Sequence, residues 1–134
     1  MSTARIDHIG IAVQSLEEAL AFYRDALGLQ PQGVVTVPAE KVRVAVLPAG
    51  EARLELLEAT SDDSPIARFL ARRGEGLHHI AMKVPDLDAA VERLKASGSR
   101  LVTEQVQQGA EGYRYVFVHP KSARGVLLEL IEES

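Results

Sequence analysis

Two histidines and two glutamates recur at matching places along this chain, and together they form the donor set of a metal centre. The run Asp7-His8-Ile9-Gly10-Ile11-Ala12-Val13 returns as His78-His79-Ile80-Ala81-Met82-Lys83-Val84. Leu54-Glu55-Leu56-Leu57-Glu58 returns as Leu128-Glu129-Leu130-Ile131-Glu132. The offset is 71 residues for the histidine and 74 for the glutamate. Burying an ionised carboxylate among aliphatic side chains is costly unless a partner or a metal compensates it. Taken singly, each of the four residues reads more readily as an ordinary core histidine or an arginine-paired glutamate. Four in register across a repeat favour a divalent ion, and imidazole with carboxylate suits zinc, cobalt, nickel, manganese or iron(II). The candidate ligands are His8, Glu55, His79 and Glu129.

The elements that must hold these side chains follow from periodicity. Residues 5–13 alternate as a strand, with Ile9, Ile11 and Val13 on one face and Ile6, His8, Gly10 and Ala12 on the other. Ser15 with Glu18 forms a capping box, and the helix it opens carries the stripe Leu16, Ala19, Leu20, Tyr23 and Leu27, ended by Gly28. Strands are expected near 30–37, 42–47 and 53–58, with turns at Pro38 and at Pro48-Ala49-Gly50. The second half repeats the order: a strand from Leu77 to Val84, a cap at Asp86, and the helical stripe Leu87, Ala90, Val91 and Leu94 stopped at Gly98. Strands near 100–106, 113–119 and 125–132 follow. Between the halves, Asp62-Asp63-Ser64-Pro65 caps a short helix with proline at its first position, and Arg73-Gly74-Glu75-Gly76 forms a hinge. Each half reads βαβββ. The expected fold is α+β, one domain over 1–134, with module one at about 1–60, a connecting helix at about 64–73 and module two at about 77–134.

Alternation also sorts the faces. The apolar faces pack on the helices, while the other faces carry His8, Glu55, His79 and Glu129 beside Gly10, Ala12 and Ala81, which leaves room for a ligand. That pattern predicts a half-open, partly closed barrel-like sheet around a metal site. His78 points away from His79. Glu58 and Glu132 share the parity of the helix-side leucines but lie at strand ends, where solvated rim positions are expected. His119-Pro120-Lys121 reads equally as a plain turn and as a cation at the cavity mouth. Gly109-Ala110-Glu111-Gly112 reads as a hairpin loop ahead of a flexible lid.

Bulk composition narrows the function. The chain has 134 residues, 46% of them hydrophobic and 25% charged, which suits one globular domain. The net charge of −4, with no basic stripe, speaks against nucleic acid as a partner. With no cysteine, disulfides and thiolate ligands are excluded and any metal is held by nitrogen and oxygen. No apolar run approaches the roughly 20 residues of a membrane span, and the amino terminus has no secretory core. A cytoplasmic protein without a membrane partner is the expectation.

The paired strands Asp7–Ala12 and His78–Ala81 resemble the vicinal oxygen chelate, or glyoxalase-type, superfamily, which is built from paired βαβββ modules. Within it, Asp63-Ser64-Pro65-Ile66-Ala67-Arg68-Phe69-Leu70, Gly76-Leu77-His78-His79-Ile80 and His119-Pro120-Lys121-Ser122 with Gly125-Val126-Leu127-Leu128-Glu129-Leu130 resemble methylmalonyl-CoA epimerases. The likeness covers almost the whole chain. It implies one divalent ion, cobalt first with zinc, nickel, manganese or magnesium as alternatives, at His8, Glu55, His79 and Glu129. Glu55 stands where some relatives have glutamine. It implies two carboxylates acting as acid and base on opposite faces of methylmalonyl-CoA or a related acyl-CoA. Glu129 matches one of them. The other falls in Val37-Pro38-Ala39-Glu40-Lys41-Val42, where the ungapped register puts Ala39 at the family's glutamate and makes its neighbour Glu40 the candidate.

Proton abstraction from a carbon flanked by thioester and carboxylate, through a metal-stabilised enolate, is the chemistry this implies. By charge and position, Lys121 and Arg124 are the candidate substrate-binding residues for coenzyme A phosphates, and a homodimer is expected. The rivals are a glyoxalase-I-like lyase, a ring-cleaving iron(II) dioxygenase, and a metal-free small-molecule binding protein of the same fold.

Overall fold

The computed structural model describes residues 4–109 and 113–133. They divide into two compact units, one of His8–His78 and one of the residues up to Asp7 together with those from His79 onward. The fold is α+β, and each half of the chain runs strand, helix, three strands.

The first half contains β1 (Arg5–Ala12), α1 (Leu16–Leu20) continued by a π-helical segment (Ala21–Ala26), β2 (Gly33–Val37), β3 (Val42–Ala49) and β4 (Ala52–Ala59). β2 pairs antiparallel with β3 and β3 with β4, while β4 runs parallel to β1, so the first and last strands of the module lie side by side. β3 and β4 meet in a two-residue turn at Gly50-Glu51, where Ala49 faces Ala52 and Gly50 takes φ +67. Pro48 and Ala49, expected in the turn, therefore belong to the strand. α2 (Pro65–Arg73) follows, with Pro65 at its start and the Ser64 hydroxyl accepting from the Ile66 amide.

Two apolar clusters flank this sheet. Val13, Leu16, Leu20, Ala45, Leu47 and Leu56 pack α1 on one face. Ala12, Val42, Val44 and Leu57 pack with Ile66 of α2 on the other, which also carries His8 and Glu55 by alternation. The space expected beside Ala12 is thus filled by the connecting helix. The stripe of the first helix also shifts. Its last turn widens to π, with the Leu27 amide donating to the Phe22 carbonyl at 2.7 Å. One extra residue in the turn rotates Leu27 outward to 53% exposure, and Leu29 joins the core instead. Gly28, at φ +89, closes the helix with its amide donating to the Arg24 carbonyl at 3.1 Å, an αL cap, while the Leu29 amide reaches back to the Tyr23 carbonyl at 3.0 Å.

The second half contains β5 (Gly76–Val84), α3 (Leu87–Ala96), β6 (Gln107–Gln108), β7 (Arg114–Val118) and β8 (Leu128–Glu132). β5 and β8 are parallel, β8 and β7 antiparallel, β7 and β6 antiparallel. Val84, Leu87, Ala90, Val91, Val116, Val118 and Leu130 form the core under α3. The strand expected over 100–106 reduces to one bridge, Leu101 to Val118, before β6. Side chains compete with the ladder there: Thr103 Oγ1 donates to the Gln105 carbonyl, which also accepts from the Gln107 amide side chain. β8 begins at Leu128 rather than 125, because Arg124 and Gly125 take the left-handed conformation at φ +59 and +96. Residues 110–112, which hold most of the expected Gly109–Gly112 loop or lid, lie outside the described residues.

Candidate active site

Each unit carries one histidine–glutamate pair, and the two pairs are built alike. In the first unit, β4 runs beside β1 with Glu55 level with Gly10, two residues beyond His8. In the second, β8 runs beside β5 with Glu129 level with Ala81, two residues beyond His79. The residue that each glutamate faces is small, so the carboxylate can lean along the sheet toward the imidazole. His8 Nε2 lies 3.5 Å from Glu55 Oε1, and His79 Nε2 lies 3.4 Å from Glu129 Oε1. His8, His79 and Glu129 are buried, at 6%, 7% and 5% exposure, and Glu55 is half-buried.

These separations exceed a well-formed N–H···O bond. At this range an imidazole nitrogen and a carboxylate oxygen can share a cation. Two ligands about 2.1 Å from one ion at a tetrahedral angle stand about 3.4 Å apart. Each pair therefore fits one edge of a coordination shell, and the nitrogen–oxygen donor set suits an intermediate divalent ion.

The flanking residues differ between the units. Arg53 lies level with His8 on the same face, and its Nη2 is 3.5 Å from Glu55 Oε2, so a guanidinium borders the first pair. The second pair is bordered by rings. Phe117 is level with Glu129 across the β7–β8 ladder, and its ring meets His79 edge-on at 6.0 Å. Neither Arg53 nor Phe117 stands out in the sequence, although the alternation of β4 and β7 assigns both to the glutamate-bearing face.

The remaining candidates are placed as follows. Glu40 ends a one-turn 3-10 segment, Pro38–Glu40, and is exposed. The neighbouring Val42 is four ladder positions from Val46, the residue level with Glu55, or about 13 Å along the strands at 3.3 Å per residue. Within its unit, Glu40 is therefore not brought to the His8–Glu55 pair. Lys121 and Arg124 are exposed on the turn between β7 and β8. There the Lys121 amide donates to His119 Nδ1 at 3.0 Å, and the Arg100 amide to Ser122 Oγ at 2.8 Å. Desolvation, and then the charges of Arg100 and Lys121, hold His119 below the ordinary imidazole value, so this turn is a positive surface to which Arg100 also contributes. His78 packs edge-on against Phe69 at 5.0 Å, away from His79.

Glu58 and Glu132 are not rim residues. The Glu58 carboxylate accepts from the Leu16 amide at 3.0 Å and from Arg43 at 2.8 Å; Glu132 accepts from the Leu87 amide at 3.2 Å and from Arg114 at 2.9 Å. Each anchors the start of its module's helix, as the strand parity alone implied. The oxygens of Asp86, Asp88 and Glu132 cluster within 4.8 Å, but Arg114 spans Asp88 and Glu132 and neutralises them.

This architecture places the chain in a known class. Residues 7–117 match the model of the Glyoxalase/Bleomycin resistance protein/Dioxygenase superfamily. A hypothetical protein from Bacillus halodurans C-125 superposes with a TM-score of 0.93 at 42% identity, over 98% of this chain and 96% of that one. A Streptomyces coelicolor methylmalonyl-CoA epimerase variant in complex with 2-nitronate-propionyl-CoA gives 0.85 at 37%, over 97% and 94%. Human mitochondrial methylmalonyl-CoA epimerase is 42% identical over 94% of this chain and 72% of its own length. The chain belongs to the methylmalonyl-CoA epimerase family within that superfamily.

Proposed function

We propose that this protein epimerises methylmalonyl-CoA by removing and returning its α-proton. The observation that carries the reading is the His–Glu pair repeated in both modules of a chain from this family. His8, Glu55, His79 and Glu129 would hold one divalent ion, cobalt first among zinc, nickel, manganese and magnesium. When bound, the ion supplies Lewis acidity that stabilises negative charge on the substrate's carbonyl oxygens.

The residues around it bind, orient and move the proton. Glu129 is the base on one face of the α-carbon. Its burial excludes water, and the adjacent Phe117 ring keeps that side apolar. Glu40 is the second acid–base group if the Pro38–Lys41 turn folds inward over the substrate. The matching geometry of the two pairs favours a second assignment, in which Glu55 serves the opposite face as Glu129 serves the first. Lys121 and Arg124 receive the coenzyme A phosphates on the positive turn. The working form is a cytoplasmic homodimer; among the described residues no helix is long and apolar enough to cross a membrane.

The test uses each epimer of methylmalonyl-CoA separately in deuterated water, with α-deuterium incorporation followed by mass spectrometry, and takes the epimer whose α-proton faces Glu129 as the one its variant slows. Glu129→Gln should slow exchange by about 10³-fold, the scale of a lost general base. Full exchange of both epimers in that variant removes Glu129 from the chemistry. Glu40→Gln and Glu55→Gln, compared on each epimer separately, decide the second face, and the variant that blocks only one epimer names the residue. A glutathione–methylglyoxal assay on the same preparation separates the glyoxalase alternative.

A further inference from the structure

Four rings line one face of the second unit in sequence: Tyr113, Tyr115, Phe117 and His79. Their centroids are 5.4, 5.8 and 6.0 Å apart in that order. Alternation along β7 turns Val116 and Val118 into the core beneath α3 and leaves Tyr115 and Phe117 on the face that carries His79 and Glu129. Phe117 is the member nearest the chemistry. It is level with Glu129, edge-on to His79 at 83° and edge-on to Tyr115 at 81°.

The ladder is braced at both ends. His79 belongs to a strand. At the far end the Tyr113 ring lies over Gly109, where a β-carbon would stand 2.4 Å from it, so a larger residue at 109 would displace that ring. Edge-on neighbours on two sides, His79 and Tyr115, restrict how far the Phe117 ring turns aside for a larger ligand. Phe117 is half-buried, so part of its ring faces whatever occupies the space over His79 and Glu129.

We propose that Phe117 is a specificity-determining residue: its ring bounds the space for the substituent on the reacting α-carbon and admits methyl in preference to longer alkyl groups. This rests on the epimerase reading above. A carbon whose proton is within reach of Glu129 holds its third substituent beside the side chain level with that glutamate, and a restrained aromatic ring there disfavours each added methylene.

The experiment compares wild type, Phe117→Leu and Phe117→Ala with methyl-, ethyl- and butylmalonyl-CoA, reading kcat/KM for α-deuterium exchange, with bound metal and melting temperature measured for each protein. Wild type should prefer methyl over ethyl. Phe117→Ala should raise the ethyl-to-methyl ratio roughly tenfold or more, the scale on which one methylene is discriminated in an apolar pocket, and should make butyl turnover measurable. Phe117→Leu should fall between, and it decides alone if the alanine variant does not fold. A Phe117 that merely supports His79 would depress all three substrates equally. An unchanged ratio, or a wild type indifferent to chain length, overturns the proposal. If wild type exchanges none of the three thioesters, the epimerase reading itself has failed, a result distinct from an unchanged ratio in active variants.

Discussion

Glu58→Ala should lower the unfolding free energy by about 2–3 kcal/mol, although Glu58 lies outside the candidate active site. One carboxylate oxygen accepts from the Leu16 amide at 3.0 Å, one of the four amide donors that an α-helix leaves unpaired at its start. The other accepts from Arg43 at 2.8 Å. A hydrogen bond to a charged group is worth about 1.5–3 kcal/mol, and a carboxylate at a helix N-terminus about 0.3–1 kcal/mol. Arg43 is 45% exposed, so the ion pair itself adds under about 1 kcal/mol. These contributions overlap rather than sum. Glu58→Gln keeps an oxygen for Leu16 and loses only the charge, so it should cost about 1 kcal/mol. Glu132→Ala repeats the experiment in the second module, where the amide bond is longer at 3.2 Å and the loss should be nearer 2 kcal/mol. Urea unfolding followed by circular dichroism at neutral pH measures each value. If both alanine variants lose less than about 0.5 kcal/mol, or if Arg43→Ala costs as much as Glu58→Ala, the helix-anchoring argument is wrong.

Chelation should remove about one divalent ion per chain and lower the melting temperature, and metal return should restore both. A site held at a hundredfold above its Kd contributes about 2.7 kcal/mol, and an unchanged melt with metal-free protein would show that the His–Glu pairs need no ion. Asp63 is held down to about 2 by hydrogen bonds from Lys41 and Ser61. Because its folded value lies below the unfolded one near 3.8, its stabilising contribution is complete above pH 4 and disappears as pH falls toward 2. Asp63→Asn should therefore lower the urea midpoint at pH 6 and approach wild type as pH falls through 2; a constant difference across that range would refute the linkage.

Much of this fold is legible in the chain because period-two alternation survives in the strands that matter. Ile9, Ile11, Leu54 and Leu56 fall on one face and His8 and Glu55 on the other, as their spacing requires. The caps at Ser15, Ser64 and Asp86 sit where the residue types place them. The failures share a cause, which is a local preference overruled by a contact that periodicity does not encode. The π turn at Ala21–Ala26 exposes Leu27 although its 3.6-residue spacing is sound. Thr103 and Gln107 both donate to the Gln105 carbonyl, an acceptor that a strand over 100–106 would have needed. The filling of the space beside Ala12 depends on where α2 packs, a tertiary fact no spacing contains.

The placement of Glu55 and Glu129 explains why duplication keeps the chemistry while the flanks diverge. In both modules the parallel pairing of first and last strands sets the glutamate level with the residue two beyond the histidine, and that residue is Gly10 or Ala81. A long side chain there would occupy the path by which the carboxylate reaches the imidazole. The pair therefore depends on two constraints local to each module, a register and a small residue. Neither constraint touches β3 or β7, so the strands beyond the glutamates are free to differ: Val46 stands level with Glu55, and Phe117 with Glu129. A repeat of this kind carries the donors as a fixed unit and leaves the neighbouring strands to shape what the donors hold.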